Sequence, residues 1–236
     1  MSGGGRNAPS RGPKARSRVF SRIAYLLGHD NGNRIAVLLG ITDTLLQAET
    51  VEAGELRDLL RLLRETSVGL QARNEDASVL VGLFAEEREA EELDVGDILA
   101  SLRADGGPLD PVPGETIRLS APFPRVAGRE ERLRAALRAL ALNAREHGVS
   151  ERVVECGLDG ESPVLIFRDN GDGVPEEKAP FLFSELGELE AARRHGLGMG
   201  TALVRAVAES MDAGYGWERR EGHTCFFLVF HGGWYA

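Results

Sequence analysis

The run Ile166–Pro175, IFRDNGDGVP, is β-rich and passes directly into Asp-Asn-Gly-Asp-Gly. A carboxylate at a strand end, here Asp169, accepts a hydrogen bond from an exocyclic amine, and glycines at 171 and 173 let the backbone pass close to a flat or charged ligand. Taken alone, the stretch reads equally as an acidic turn or a partial calcium loop. Residues 195–209, HGLGMGTALVRAVAE, place Gly196, Gly198 and Gly200 at spacing two and run into an apolar-periodic helix. Unpaired N–H groups at such a helix start can cradle a phosphate. The pattern is not a P-loop, which needs Gly-Lys-Ser/Thr, nor a dinucleotide fingerprint following a strand. Upstream, LRAALRALALNAREHG (133–148) is a helix carrying Asn143 among apolar residues. That amide is either an ordinary helix-surface group or a hard oxygen ligand for Mg²⁺, which keeps several waters and takes few protein ligands. Near the N-terminus, GHDNGNRIAVL (28–38) sets His29 beside Asp30 and four residues before Asn33. Asn-Gly is a strong turn signal, yet apolar residues at helical spacing flank it. In a helix, His29 and Asn33 share a face.

These groups need elements to position them. From Arg18 to about Gln47, Val19, Ile23, Leu26, Leu27, Val37, Leu38, Ile41 and Leu45 fall on one helical stripe. From Glu55 to Glu91 a second stripe repeats every seven residues as Leu56, Leu63, Leu70, Ala77 and Phe84, with Leu59, Leu60, Leu80 and Val81 beside it. Two long helices joined near ETVEAG make an antiparallel hairpin, whose stripe needs a partner. A second copy, giving a dimeric four-helix bundle, is the simplest. Gly32 inside the first helix costs about 1 kcal/mol relative to Ala, which bundle packing exceeds. After EREAEELDVGDIL, Gly and Pro cluster and the texture alternates. The pattern predicts strands at 116–120, 152–158, 163–168, 215–219 and 225–230, with helices at 129–147 and 200–212. The expected layout is a disordered basic tail over 1–17, a helical hairpin over 18–92 and an α/β domain over 93–236, an α+β multi-domain chain.

The order of these motifs resembles the histidine-kinase branch of the ATPases shared with gyrase and Hsp90-type chaperones. LNAREHG is similar to the family's N box, DNGDGVP to its G1 box, FLF (181–183) to its F box and GLGMGTALV to its G2 box. The closing GYGWERREGHTCFFLVF is similar to the last hairpin, so the resemblance spans about 93–236. It implies an α/β sandwich of three helices over a mixed sheet, binding ATP with Mg²⁺ under a mobile lid. Asp169 would hold the adenine amine, Gly171 and Gly173 would admit the base, and Asn143 would hold Mg²⁺. Gly196, Gly198 and Gly200 would meet the phosphates, and residues 176–195 would be a short lid, with Arg193 and Arg194 either available to the phosphate tail or part of a solvated face beside acidic GELE.

In histidine kinases a dimeric hairpin carries the phosphorylated histidine just before an acid, in a His-Glu/Asp-x-x-Asn/Thr pattern. HDNGN fits with His29, Asp30 and Asn33, although Arg34 stands where proline usually follows. Neutral imidazole, with an ordinary pKa of about 6.5, is nucleophilic without a strong base. Asp30 would orient the ring, and Asn33 would place water for the reverse dephosphorylation of a partner's aspartyl phosphate. Hydrolysing and serine-phosphorylating relatives have Glu one turn before the N-box Asn. Ala139 stands there, which favours histidine chemistry. Glu146, one turn after Asn143, is an echo of anti-sigma serine kinases and keeps that alternative open. A second alternative is a phosphotransfer scaffold with a non-catalytic ATPase-like domain. The implied partners are a response regulator receiver domain and a separate sensory protein.

Composition narrows the field. The net charge of −9, from 28 Lys and Arg against 37 Asp and Glu, disfavours polyanion binding, so no nucleic acid partner is expected. The exception is the acid-free start MSGGGRNAPSRGPKARSR, read as a solvated tail in preference to a transit peptide. The longest uninterrupted apolar run, IAVLLGI, is too short to span a bilayer, and a cytoplasmic protein without membrane insertion is expected. Cys156 and Cys225 lack any metal-ligand spacing and read as free thiols.

Overall fold

The computed structural model describes residues 31–48, 50–83, 89–104, 107–111, 114–184 and 199–232. His29, Asp30, Gly196, Gly198 and most of the expected lid lie outside the described residues. The chain divides into two compact units, Met1–Phe84 and Ala85–Ala236.

In the first unit, α1 (31–47) and α2 (Ala53–Gly82) run antiparallel. The Asn31 amide donates to Asn74 Oδ1 at 2.9 Å, and Gly69 faces the Arg34 guanidinium, so position rises on one helix as it falls on the other. The Asn-Gly turn signal at 31–32 is overridden: both residues are helical. On α1 the covered face is Asn31, Arg34, Leu38, Ile41 and Leu45, at alternating steps of three and four. On α2 it includes Leu59, Leu63, Thr66, Leu70, Ala77 and Leu80. Several expected stripe positions, Val37, Leu56, Leu60 and Val81, are exposed instead, as are Ile35, Leu39 and Leu46. One antiparallel neighbour covers only a narrow strip of each helix, narrower than the apolar surface either presents.

The second unit opens with β1 (Glu91–Asp94) and α3 (Val95–Leu102). Asp94 caps α3, its carboxylate accepting from the N–H groups of Gly96 and Asp97. The heptad reading carries helix through Glu91, but α2 ends at Gly82 and Glu91 begins a strand. β1 pairs antiparallel with β3 (Arg125–Gly128), setting Leu93 opposite Val126, while Arg125 bridges to Glu92 and Asp94. Cross-strand charge pairing and two buried side chains outweigh the weak strand propensity of EELD.

β2 (Thr116–Ser120), β4 (Glu151–Asp159), β5 (Ser162–Asp169), β6 (Ala213–Arg220) and β7 (His223–Phe230) form one mixed sheet in the order β2-β4-β5-β7-β6. Only β2 and β4 pair in parallel. The crossover that parallel pairing requires is supplied by β3 and α4 (Glu130–His147). α5 (Gly200–Ser210) packs on α4 and β6, and α4 packs on β5 and α3. β5 alternates half-buried and buried residues, and Leu165, Phe167 and Asp169 point the same way as its buried set. Phe167, Leu137, Leu140 and Leu203 are almost wholly enclosed, each contributing roughly 1.5–3 kcal/mol by leaving water. The expected strands and helices of this unit are all present within a few residues. Among the described residues no helix is long and apolar enough to cross a membrane.

Candidate functional site

The site is built where β5 ends. Asp169 is the last residue of that strand and only 1% exposed. Its Oδ1 accepts the Gly171 N–H at 2.9 Å, closing a turn that reverses the chain within two residues. Gly171 has no alternative: a Cβ there would overlap the carbonyl of His147 at the end of α4. Gly173 has φ +94°, a left-handed conformation that side chains resist, and a Cβ there would come 2.7 Å from Arg219 Nη1. Both glycines of the G1 motif are thus required, one by close approach and one by backbone conformation.

Two residues that the motif reading assigned no role hold this turn. Asn170 Oδ1 accepts the N–H groups of Val149, Ser150 and Glu151, each at 3.1 Å, and its amide donates to Ser150 Oγ. One side chain therefore ties the G1 turn to the α4–β4 connection. Arg219 on β6 donates through Nη1 to the Gly171 carbonyl at 2.8 Å and to Thr224 Oγ1 at 3.0 Å. Thr224, buried on β7, is the cross-strand partner of Asp169. Asn170 was legible as a side chain suited to capping a turn. Arg219 was not, because its partner lies 48 residues away.

Burial pushes the Asp169 carboxyl up from its ordinary pKa. The Gly171 N–H opposes the shift, as do His147, Arg219 and His223. A carboxylate kept buried at a strand end, with one oxygen engaged by the turn, is suited to accept a hydrogen bond from an amine that displaces water.

Asn143 sits one turn before His147 on α4. It is half-buried, and its amide makes no hydrogen bond among the described residues. A single uncommitted amide oxygen fits Mg²⁺ arriving on a polyphosphate, since that ion needs few protein ligands. Among the described residues no cluster of three or more His, Cys, Asp or Glu is placed to hold a metal by itself. Gly200 is the first residue of α5, where early N–H groups lack intrahelical partners. A Cβ at Gly200 would make ordinary contact, 3.7 Å, with Ala139 Cβ. Ala139 faces α5 in the core, so no carboxylate occupies that position. The F motif enters as a short turn, Ala179–Phe181, after which Phe183 adopts φ +55°. Its ring packs against Tyr215 and Phe226, with centroids 5.1 and 6.1 Å away, and Arg205 Nη1 donates to its carbonyl at 3.0 Å. In the first unit Asn33 is exposed on α1.

This arrangement matches a known family. Residues 128–231 match the model of the histidine kinase-, DNA gyrase B-, and HSP90-like ATPases. The chain is also similar in sequence to a histidine kinase. Sensor histidine kinase YkoH of Bacillus subtilis is 31% identical over 83 residues, 34% of this chain and 18% of YkoH, so the match spans about a fifth of that relative. The fold extends to solved structures. The Acinetobacter baumannii histidine kinase AdeS aligns with a TM-score of 0.58 at 16% identity, covering 86% of this chain and 96% of that one. Full-length ShkA, solved in complex with AMPPNP, aligns with a TM-score of 0.56 at 20% identity, covering 92% of this chain and 46% of that one.

Proposed function

We propose that the chain is an ATP-dependent protein histidine kinase that phosphorylates His29 and passes the phosphoryl group to an aspartate of a response regulator receiver domain. The observation that supports it most directly is the Asp169 turn, a buried carboxylate with one oxygen held by Gly171 N–H, inside a domain of the matching ATPase family. ShkA, which shares the fold, was solved with AMPPNP.

In this reading the free Asp169 oxygen accepts the adenine amine, and the backbone at Gly171 and Gly173 lies against the base. Gly196, Gly198 and Gly200 offer N–H groups to the phosphates. Asn143 is the residue that would hold Mg²⁺, which when bound neutralises phosphate charge. His29 attacks the γ-phosphorus through a ring nitrogen, the bond to the ADP oxygen breaks, and Asp30 steadies the positive charge left on the imidazole. Asn33 positions water for dephosphorylation of the regulator. Of the hairpin expected over 18–92, the part within the first unit serves for dimerisation and as phosphoacceptor, the ATP domain expected over 93–236 also takes in Glu91 and Glu92 of β1, and 1–17 is a basic tail. The exposed Ile35, Leu39 and Leu46 of α1 and Leu56 and Leu60 of α2 support a homodimer, in which a second hairpin covers them as a four-helix bundle. A separate sensory protein would supply the signal, and a cytoplasmic setting suits these partners.

The test is incubation with γ-labelled ATP and Mg²⁺, comparing wild type with His29→Gln. Acid-labile, base-stable label on wild type and none on the variant is expected. Acid-stable label would point to serine, and Glu146, exposed at the end of α4, would then be examined as its base. A protein that binds no ATP would be a phosphotransfer scaffold.

A further inference from the structure

Arg219 has an unusual combination of features. The residue is exposed on the edge strand of the sheet, where charged side chains ordinarily point into solvent, yet its Nη1 bonds both the Gly171 carbonyl and the Thr224 hydroxyl. Those partners flank Asp169 on two sides. Gly171 closes the turn onto Oδ1, and Thr224 is opposite Asp169 in the β5–β7 register. Gly173, left-handed and side-chain-free, leaves the space that the guanidinium occupies. One of its two bonds holds the turn and the other the buried Thr224 on the strand beside Asp169.

We propose that Arg219 is a positioning residue of the base pocket. Its guanidinium fixes the Gly171 carbonyl, which keeps the Gly171 N–H on one Asp169 oxygen and leaves the other aimed at the base amine. The same guanidinium is the cation beside that carboxylate on the strand side. The proposal rests on the reading of Asp169 as the adenine acceptor. The remaining charged neighbours belong to other elements. His147 ends α4, His223 begins β7, and Glu151 and Arg152 stand on β4, where Arg152 is committed to Glu115 and the Pro108 carbonyl. With His147 and His223, Arg219 favours the ionised form of the carboxylate.

The two contributions separate by substitution. Arg219→Gln retains a donor for the Gly171 carbonyl without charge, Arg219→Lys retains charge without the two-bond geometry, and Arg219→Ala retains neither. Equilibrium binding of ATP with Mg²⁺ is measured on the full chain between pH 5 and 8.5. Arg219→Ala should bind about tenfold more weakly at pH 7.5, the effect of one charge-assisted hydrogen bond. Its loss of affinity on acidification should begin at higher pH than in wild type, because an Asp169 without its cation protonates sooner. Arg219→Gln should share that displaced acid limb with nearer wild-type affinity, and Arg219→Lys should keep the wild-type limb with reduced affinity. A merely structural role would lower affinity without moving the limb. Wild-type binding with an Arg219→Ala profile that superimposes on it within twofold would overturn this proposal alone. Absence of binding by wild type would overturn it together with the adenine reading.

Discussion

Replacing Asp169 by Asn separates what the site costs from what it does. The carboxylate is buried, its pKa raised by that burial, and Oδ1 already accepts the Gly171 N–H. Asn keeps an acceptor for that N–H, so the turn survives, but on the proposed adenine reading it turns a donor toward the base amine where an acceptor is needed. Losing a hydrogen bond to a charged acceptor costs about 1.5–3 kcal/mol, or roughly a 10- to 150-fold weaker affinity for ATP. Stability moves the other way. A group whose folded pKa lies above its unfolded value contributes stability at pH below the unfolded pKa and loses it as pH rises through the folded one. At neutral pH the ionised Asp169 is therefore a burden that Asn removes. The variant should unfold at the same or higher denaturant concentration at pH 7.5, with that advantage shrinking toward pH 4. Both tryptophans, Trp217 and Trp234, belong to the second unit, so tryptophan fluorescence follows its unfolding, and isothermal titration follows ATP. Binding within threefold of wild type, or a variant less stable at pH 7.5 than wild type, would refute the reasoning.

Asn170→Ala removes one acceptor shared by three N–H groups and should lower the stability of the second unit by about 1–2 kcal/mol, read from the same fluorescence transition, with ATP affinity falling in parallel. On the proposed four-helix bundle, wild type should sediment as a dimer and a variant with glutamates at Leu39 and Leu46, which are 59% and 79% exposed in the single chain, as a monomer. A variant that stays dimeric would show that this face is not the interface.

The residues themselves determined the elements and their order. Period-two runs gave β2, β4, β5 and the β6–β7 hairpin to within a few residues, and apolar spacing gave α4 and α5. The glycines at 171 and 173 were legible because close approach and left-handed backbone leave glycine as the residue of choice. Tertiary structure decided what no local pattern encodes. The strand at Glu91–Asp94 exists because Arg125 and Val126, more than thirty residues on, pair with it against the helical spacing of its own neighbourhood. Which side of α1 and α2 is covered depends on how narrow one neighbouring helix is. Around Asp169, burial, the Asn170 tether and the Arg219 bonds arise from β5, α4, β6 and β7 converging. Electrostatics and hydrogen bonding act through space, so a carboxylate's character is set by neighbours that sequence distance does not reveal.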